Sequence, residues 1–300
     1  MEVEVRILIL DGKKLSNEIL DNIKNEYDQV GNSACKLVVV TIGDDSASKV
    51  YVNNKKKACE KVGFQFKQVH FSEDECFSNI LNELKYLNSC KDVAGIIIQL
   101  PIVSNVLTKE EKDCLTKSVY GSKDVDGFLK DSKFIPCTPK GILRLLESIP
   151  NFTYKGKTAL VIGRSDIVGK PIAKMLLDRD CTVIQAHSKT PKERLLRMFS
   201  FADIIISAVG KKDLISEEDA YQYFKDNRHN FYGDFTNKKD RIIIDVGINR
   251  NSDGKLCGDL SEDFKKKYSE YYTPVPGGVG PMTVAMLIEN VWESYVTQKG

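Results

Sequence analysis

Short runs of β-branched residues alternate along this chain with longer segments of helical period, and a chain so patterned buries its apolar residues best in parallel sheets joined by crossover helices. Strands are expected at Lys36–Ile42, Phe64–Val69, Val93–Gln99, Thr158–Ile162, Thr182–Ala186, Ile204–Ala208 and Arg241–Val246. Helices are expected at Asn17–Gln29, Ala47–Val62, Glu73–Asn88, Ile167–Leu177 and Pro281–Tyr295, with Ser72 and Glu75 forming a capping box for the third. The turn-rich stretch Ser148–Lys157 divides the strands into two sets. The expected fold is therefore α/β: a first lobe over 1–149 and a second over 150–280, the second a Rossmann-like doubly wound parallel sheet, with a cleft between them.

The 300 residues, 42% of them hydrophobic, are enough for two cores. Against 44 basic side chains stand 42 acidic ones, spread along the whole length, which argues against a nucleic-acid partner or an anionic membrane surface. The longest apolar stretch, Val93–Val103, is broken by Gln99 and Pro101 and is too short to span a bilayer. Met1–Leu10 offers neither a basic leader nor a small-residue cleavage site, so a cytoplasmic location is expected. Eight cysteines lie 14 or more residues apart, with no paired spacing and no clustered histidines. They read as reduced thiols, and no metal site is expected.

Thr158–Ile162 followed by Gly163, Arg164, Ser165 and Gly169 has the grammar of a buried strand, a glycine turn and a helix start, where backbone N–H groups favour a pyrophosphate. The middle glycine of G-x-G-x-x-G is missing, so a turn without any ligand is the competing reading. The next strand ends at Ala186–Thr190, where NAD enzymes usually place an acid, and no acid is there. Ser188, Lys189 and Arg164 suit a 2′-phosphate instead, which favours NADP. Gly247 and Ile248 close another strand at the usual lip of a nucleotide crevice.

Tyr51 and Lys55 are four residues apart and share a helix face. The pair suits acid/base work if the lysine pKa is lowered, while the run Lys55–Lys57 also fits a solvated face. Gln99 interrupts an apolar strand and needs partners in the core or on a ligand. Asp124 and Asp126 read either as solvated turn residues or as recognition of a donor-rich heterocycle. Tyr272–Ala285 opens a helix after three prolines and three glycines, a tightly specified backbone with N–H groups available to a ligand.

Taken together, Tyr51–Lys55, Gly95–Pro101, Lys123–Phe128, Pro136–Gly141, Gly163–Gly169, His187–Thr190, Asp245–Asn249 and Thr273–Thr283 closely resemble the methylenetetrahydrofolate dehydrogenase/methenyltetrahydrofolate cyclohydrolase family. The resemblance runs from about Asp11 to Glu293. It implies a bifunctional enzyme of one-carbon metabolism, a homodimer that oxidises 5,10-methylenetetrahydrofolate with NADP and hydrolyses the methenyl product to 10-formyltetrahydrofolate. Lys55 matches the family's catalytic lysine, with Tyr51, Gln99 and Asp126 beside it in the chemistry. The matched folate site comprises Tyr51, Val52, Asn53, Asn54, Lys55, Ile98, Gln99, Leu100, Asp126 and the loop Pro276, Gly277, Gly278, Val279 and Gly280. Gly163, Arg164, Ser165, Ser188 and Ile248 match cofactor contacts. The family's final helix, here 281–300, is expected to pack back on the first lobe. A segment at Tyr221–Lys239 is longer than in most members and is assigned no chemistry. Two rivals stay open: dehydrogenation alone, with NAD, and a binding module that has lost its activity.

Overall fold

The computed structural model describes residues 7–31, 34–226 and 241–299. Its first half runs β1 (Leu8–Ile9), α1 (Gly12–Gln29), β2 (Lys36–Ile42), α2 (Ser46–Val62), β3 (Gln65–Phe71), α3 (Phe77–Ser89), β4 (Val93–Ile98), α4 (Lys109–Thr116) and α5 (Cys137–Glu147). Then follow β5 (Thr158–Ile162), α6 (Gly169–Leu177), β6 (Thr182–Ala186), α7 (Lys192–Phe201), β7 (Ile204–Ser207), α8 (Glu217–Asp226) and β8 (Ile242–Asp245). The chain ends with β9 (Asn249–Arg250), β10 (Leu256–Cys257), α9 (Glu262–Tyr268), β11 (Tyr271–Tyr272) and α10 (Val279–Lys299).

These elements form two compact units. One holds Ser16–Lys140 and Thr283–Gly300, the other the residues up to Leu15 and Gly141–Met282. The division differs from a cut near residue 150, because the chain changes unit inside helices, within α1, α5 and α10, and not in the turn after α5. Leu8 and Ile9 also leave the first lobe: β1 pairs in parallel with β11, Leu8 opposite Tyr271.

In the first unit a three-stranded parallel sheet has the order β3-β2-β4. The middle strand reads Leu-Val-Val-Val-Thr-Ile after Lys36, and all six of these residues are buried, as a strand covered on both faces requires. Val38, Val40 and Ile42 form a core with Ile80, Leu84 and Leu87 of α3. Tyr27, Phe64, Trp292 and Tyr295 make an aromatic cluster with ring centroids 5.0–6.3 Å apart. The part of α10 in this unit is tied down by Ser294, whose hydroxyl donates to the Ala94 carbonyl (2.6 Å), and by the Trp292 indole N–H on Glu26 (2.7 Å).

The second unit is a six-stranded parallel sheet ordered β1-β11-β8-β7-β5-β6. Read from β5, the chain lays its second strand on one side of the first and the rest on the other. This creates a switch point between β5 and β7, where ligands of doubly wound sheets bind outside the carboxyl ends. The strands are runs such as Ile204-Ile-Ile and Ile242-Ile-Ile, buried throughout.

Two local expectations are corrected. Phe64 is not the first residue of β3; its N–H donates to the Cys59 carbonyl (2.9 Å) and finishes the cap of α2, whose Gly63 takes the left-handed φ of 88°. The box at Ser72 and Glu75 does not form. Glu75 Oε1 instead accepts the Cys76 N–H (3.2 Å) and the Asn79 amide (2.9 Å), and α3 starts at Phe77. The Tyr221–Lys239 segment begins on α8; beyond Asp226 it lies outside the described residues.

Candidate functional site

In the three-stranded unit, Asp45 starts α2 by accepting the Ser48 N–H (2.6 Å), which sets the rotation of the helix. Tyr51 and Lys55 then share one face, while Ser48, Val52 and Lys56 share another. Lys55 Nζ donates to Gln99 Oε1 at 3.0 Å. Gln99 sits just past β4, its N–H on the Val40 carbonyl (2.8 Å) and its amide nitrogen on the Leu100 carbonyl (2.9 Å). The polar residue in the apolar run is thus the partner of the lysine, and of the two readings for Lys55 the wholly solvated one fails: the side chain is half-buried and hydrogen-bonded. Tyr51, at 43% exposed, leaves a broad aromatic surface next to it.

The two acids of the Asp124–Phe128 turn separate by role. Asp124 is buried and accepts the Leu129 N–H (2.8 Å), and burial pushes its carboxyl above the usual range. It is a turn residue. Asp126 is half-buried, its carboxylate 3.9 Å from Cys137 Sγ. Burial pushes the Cys137 thiol well up, the Asp126 charge pushes it further and the Lys55 ammonium opposes both. The Cys137 thiol therefore lies within the electrostatic reach of both groups. Asn290 of α10 supports the turn by donating to the Val125 (2.8 Å) and Ile135 (3.0 Å) carbonyls.

A cavity of about 480 Å³ lies against the other face of α2, lined by Ser48, Val52, Asn53 and Gln99 together with Thr41 and His70. Gln99 therefore borders both faces, whereas Lys55 and Tyr51 are not among the lining residues.

In the six-stranded unit the carboxyl ends of β5 and β7 meet closely. Gly163 has φ 132°, and a Cβ on it would collide with the Ala208 carbonyl; a Cβ on Gly169 would lie 2.5 Å from the Gly163 carbonyl oxygen. These are the close approaches for which a nucleotide turn uses glycine. Ser165 Oγ accepts the Val168 (3.2 Å) and Gly169 (3.3 Å) N–H groups, so its hydroxyl is engaged at the start of α6. Arg164, Ser188 and Ile248 are exposed at the ends of β5, β6 and β8.

The Thr273–Gly280 loop belongs to this unit. Thr273 Oγ1 accepts the Asp245 N–H (2.8 Å), and the Gly277 carbonyl accepts the Lys13 N–H (2.9 Å). Gly277 has φ 110°, and a Cβ on Gly278 would lie 2.6 Å from the Pro274 carbonyl oxygen. Val279 and Gly280 already belong to α10, and a Cβ on Gly280 would meet nothing within 4 Å. Sequence reasoning missed Gly12, whose Cβ would collide with the Gly278 carbonyl, and the buried acid Asp259. A glycine at the very start of an amphipathic helix was the available signal for the first. The second gave none, since its donors lie far away in the chain.

Two family descriptions match in chain order: the catalytic domain of tetrahydrofolate dehydrogenase/cyclohydrolase over residues 10–126, and the NAD(P)-binding domain of the same enzymes over residues 136–223 and 228–299. The chain belongs to the tetrahydrofolate dehydrogenase/cyclohydrolase family. Among its relatives, the "Bifunctional protein FolD" of Staphylococcus saprophyticus is 39% identical over 293 residues, covering 94% of each chain, and that of Agathobacter rectalis is 39% identical over 298 residues. The crystal structure of the bifunctional FolD enzyme from Campylobacter jejuni superposes with a TM-score of 0.84 at 36% identity, over 97% of this chain and 99% of that one. The Trypanosoma brucei dehydrogenase-cyclohydrolase, solved with NADP and an inhibitor, gives 0.82 at 27% identity over 97% and 98%. The dehydrogenase/cyclohydrolase architecture accounts for the order of the elements, the three-stranded unit carrying Lys55 and the six-stranded unit carrying the glycine turn.

Proposed function

We propose that this chain oxidises 5,10-methylenetetrahydrofolate to the methenyl form with NADP and hydrolyses that product to 10-formyltetrahydrofolate, with Lys55 serving the hydrolytic step. The hydrogen bond between Lys55 and Gln99 carries the reading. Opening the methenyl ring forms a C–O bond and breaks a ring C–N bond, so one proton leaves the attacking water and one reaches the departing nitrogen; the Lys55 nitrogen, held by a neutral amide, takes the first in its amine form and delivers the second as the ammonium. Gln99 fixes where Nζ points. Asp126 offers an acceptor to the amino edge of a pterin, and the exposed ring of Tyr51 a face to stack on. Val52–Asn54, Ile98 and Leu100 complete that side.

The residues at the carboxyl edge of this sheet fit a dinucleotide: glycines where a Cβ would collide, a hydroxyl after β6 where NAD enzymes carry an acid, and a guanidinium at the turn after β5. The cofactor, when bound, supplies the hydride acceptor, so the chain's task in the oxidation is alignment more than proton transfer. Arg164 and Ser188 favour NADP over NAD, in keeping with the NADP held by the trypanosomal relative. A homodimer in the cytoplasm, engaging neither nucleic acid nor membrane, is part of the same proposal. No helix among the described residues is long and apolar enough to cross a membrane.

The test is Lys55→Met, assayed for NADPH formation from the methylene substrate and separately for decay of preformed methenyl substrate. We expect hydrolysis to fall by about 100-fold or more, the range typical of a lost acid/base group, with measurable oxidation kept. Equal loss of both steps, with folate and cofactor still bound, refutes the division.

A further inference from the structure

The six-stranded unit contains two carboxylates that take no part in the chemistry proposed above. Asp259 is fully buried and Asp245 is 1% exposed. Oδ2 of Asp259 accepts the Ser207 hydroxyl (2.9 Å) and the N–H groups of Val209 (2.9 Å) and Gly210 (3.3 Å). Its Oδ1 accepts the Lys211 N–H (2.9 Å) and the Asn249 side-chain amide (3.0 Å). Four of these donors lie in the two segments that leave the carboxyl ends of β7 and β8. A Cβ on Gly247 would collide with Asp259 Oδ1, so the carboxylate occupies the room a side chain would need.

Asp245 anchors the acid in turn. It accepts the N–H groups of Asp259 (2.9 Å), Leu260 (3.0 Å) and Gly247 (3.1 Å). Buried Lys265 lies 3.6 Å from Asp245 Oδ2 and donates to the Thr273 carbonyl (3.0 Å). A buried carboxylate is tolerable only with such a set of donors; of these, the Asn249 amide also donates to the Gly258 carbonyl (3.1 Å). An asparagine offers one acceptor oxygen and would turn an N–H₂ group toward N–H donors.

We propose that Asp259 is a positioning residue for the nicotinamide cofactor: it ties Val209–Lys211 to the Gly247–Asn249 segment as one lip of the crevice, and Ile248 is carried on that lip. The inference rests on the reading that the cofactor lies at the carboxyl edge of this sheet, so the experiment tests both. NADP affinity is measured by protein fluorescence and calorimetry for the unsubstituted chain and for Arg164→Ala, Asp259→Asn, Asn249→Ala and Ser207→Ala, with thermal melts of each. Asp259→Asn should weaken NADP binding at least tenfold and raise the KM for NADP more than it lowers kcat. Its hydrolysis of preformed methenyl substrate should stay within twofold, which also reports a folded enzyme. Ser207→Ala removes a donor that lies in the strand and not in the lip, so its NADP affinity should stay within twofold even where stability falls.

If Arg164→Ala binds NADP normally, the cofactor's assigned place fails, and the proposal with it. If Arg164→Ala weakens binding and Asp259→Asn stays within threefold of the parent, the positioning role alone fails. Weakening that merely follows each variant's loss of melting temperature, Ser207→Ala included, also overturns it. Should Asp259→Asn not fold, Asn249→Ala decides: a threefold or greater loss of NADP affinity supports the lip, and an unchanged affinity refutes it.

Discussion

Cys59 lies one turn beyond Lys55 on α2, fully buried, and burial pushes its thiol from the ordinary 9.0 up to about 12, with the Lys55 ammonium pulling the other way. The folded chain thus favours the neutral thiol. The stability this confers is complete below pH 9 and is lost as the pH rises from 9 towards 12, by at most about 1.4 kcal/mol per pH unit. Cys59→Ala should therefore show a smaller fall in melting temperature between pH 8 and pH 10.5 than the parent, reduced and not abolished, because Cys35 and Cys137 are raised by burial as well. Parallel falls in calorimetry would assign the alkaline loss to other groups. At this scale the sequence was most informative where a residue broke a local pattern: Gln99 interrupts an apolar run, and Lys55 sits one helical turn from a tyrosine. Asp259 breaks no pattern. Its meaning comes from donors on β7 and on the segments after β7 and β8, which only the fold assembles.

Helix α2 carries the proposed proton-transfer lysine, and Asp45 is the residue that starts it. Asp45→Ala should cost about 1 kcal/mol, the usual worth of an N-cap, seen as a lower denaturation midpoint with an unchanged slope. Elements of strong period were readable to the residue, as at Lys36–Ile42, Thr158–Ile162 and Thr182–Ala186. Helix α5 was not, because Pro139 and Gly141 punctuate it. Proline is tolerated in a first turn, and a Cβ on Gly141 would come within 3.0 Å of Met282 Cβ, so both residues are compatible with the helix. The two-residue strands β1 and β11 are too short to show any period and exist through their pairing alone. No capping box forms at Ser72, and Glu75 Oε1 accepts from Cys76 and Asn79 instead.

Each unit of the whole molecule is made from separate stretches of chain, and the turn chemistry at Ser148–Lys157 gave no hint of it. Truncation after Met282 should therefore act selectively. The three-stranded unit loses Asn290, Trp292, Ser294 and Tyr295, exposing Tyr27 and Phe64, while strands β5 to β8 keep all their residues. We expect hydrolysis of methenyl substrate to vanish and NADP still to bind, a split that calorimetric titration of the purified fragment would read directly. Synthesis imposes the same arrangement in time. Ser16–Lys140 is made before Gly141–Met282, and the whole of that second stretch must be made before the missing partner of the first appears, on the order of ten seconds at about 5–20 residues per second. During that interval the aromatic side chains awaiting Trp292 stand open to any chaperone or neighbouring nascent chain. The half that bears the lysine is begun early and closed late.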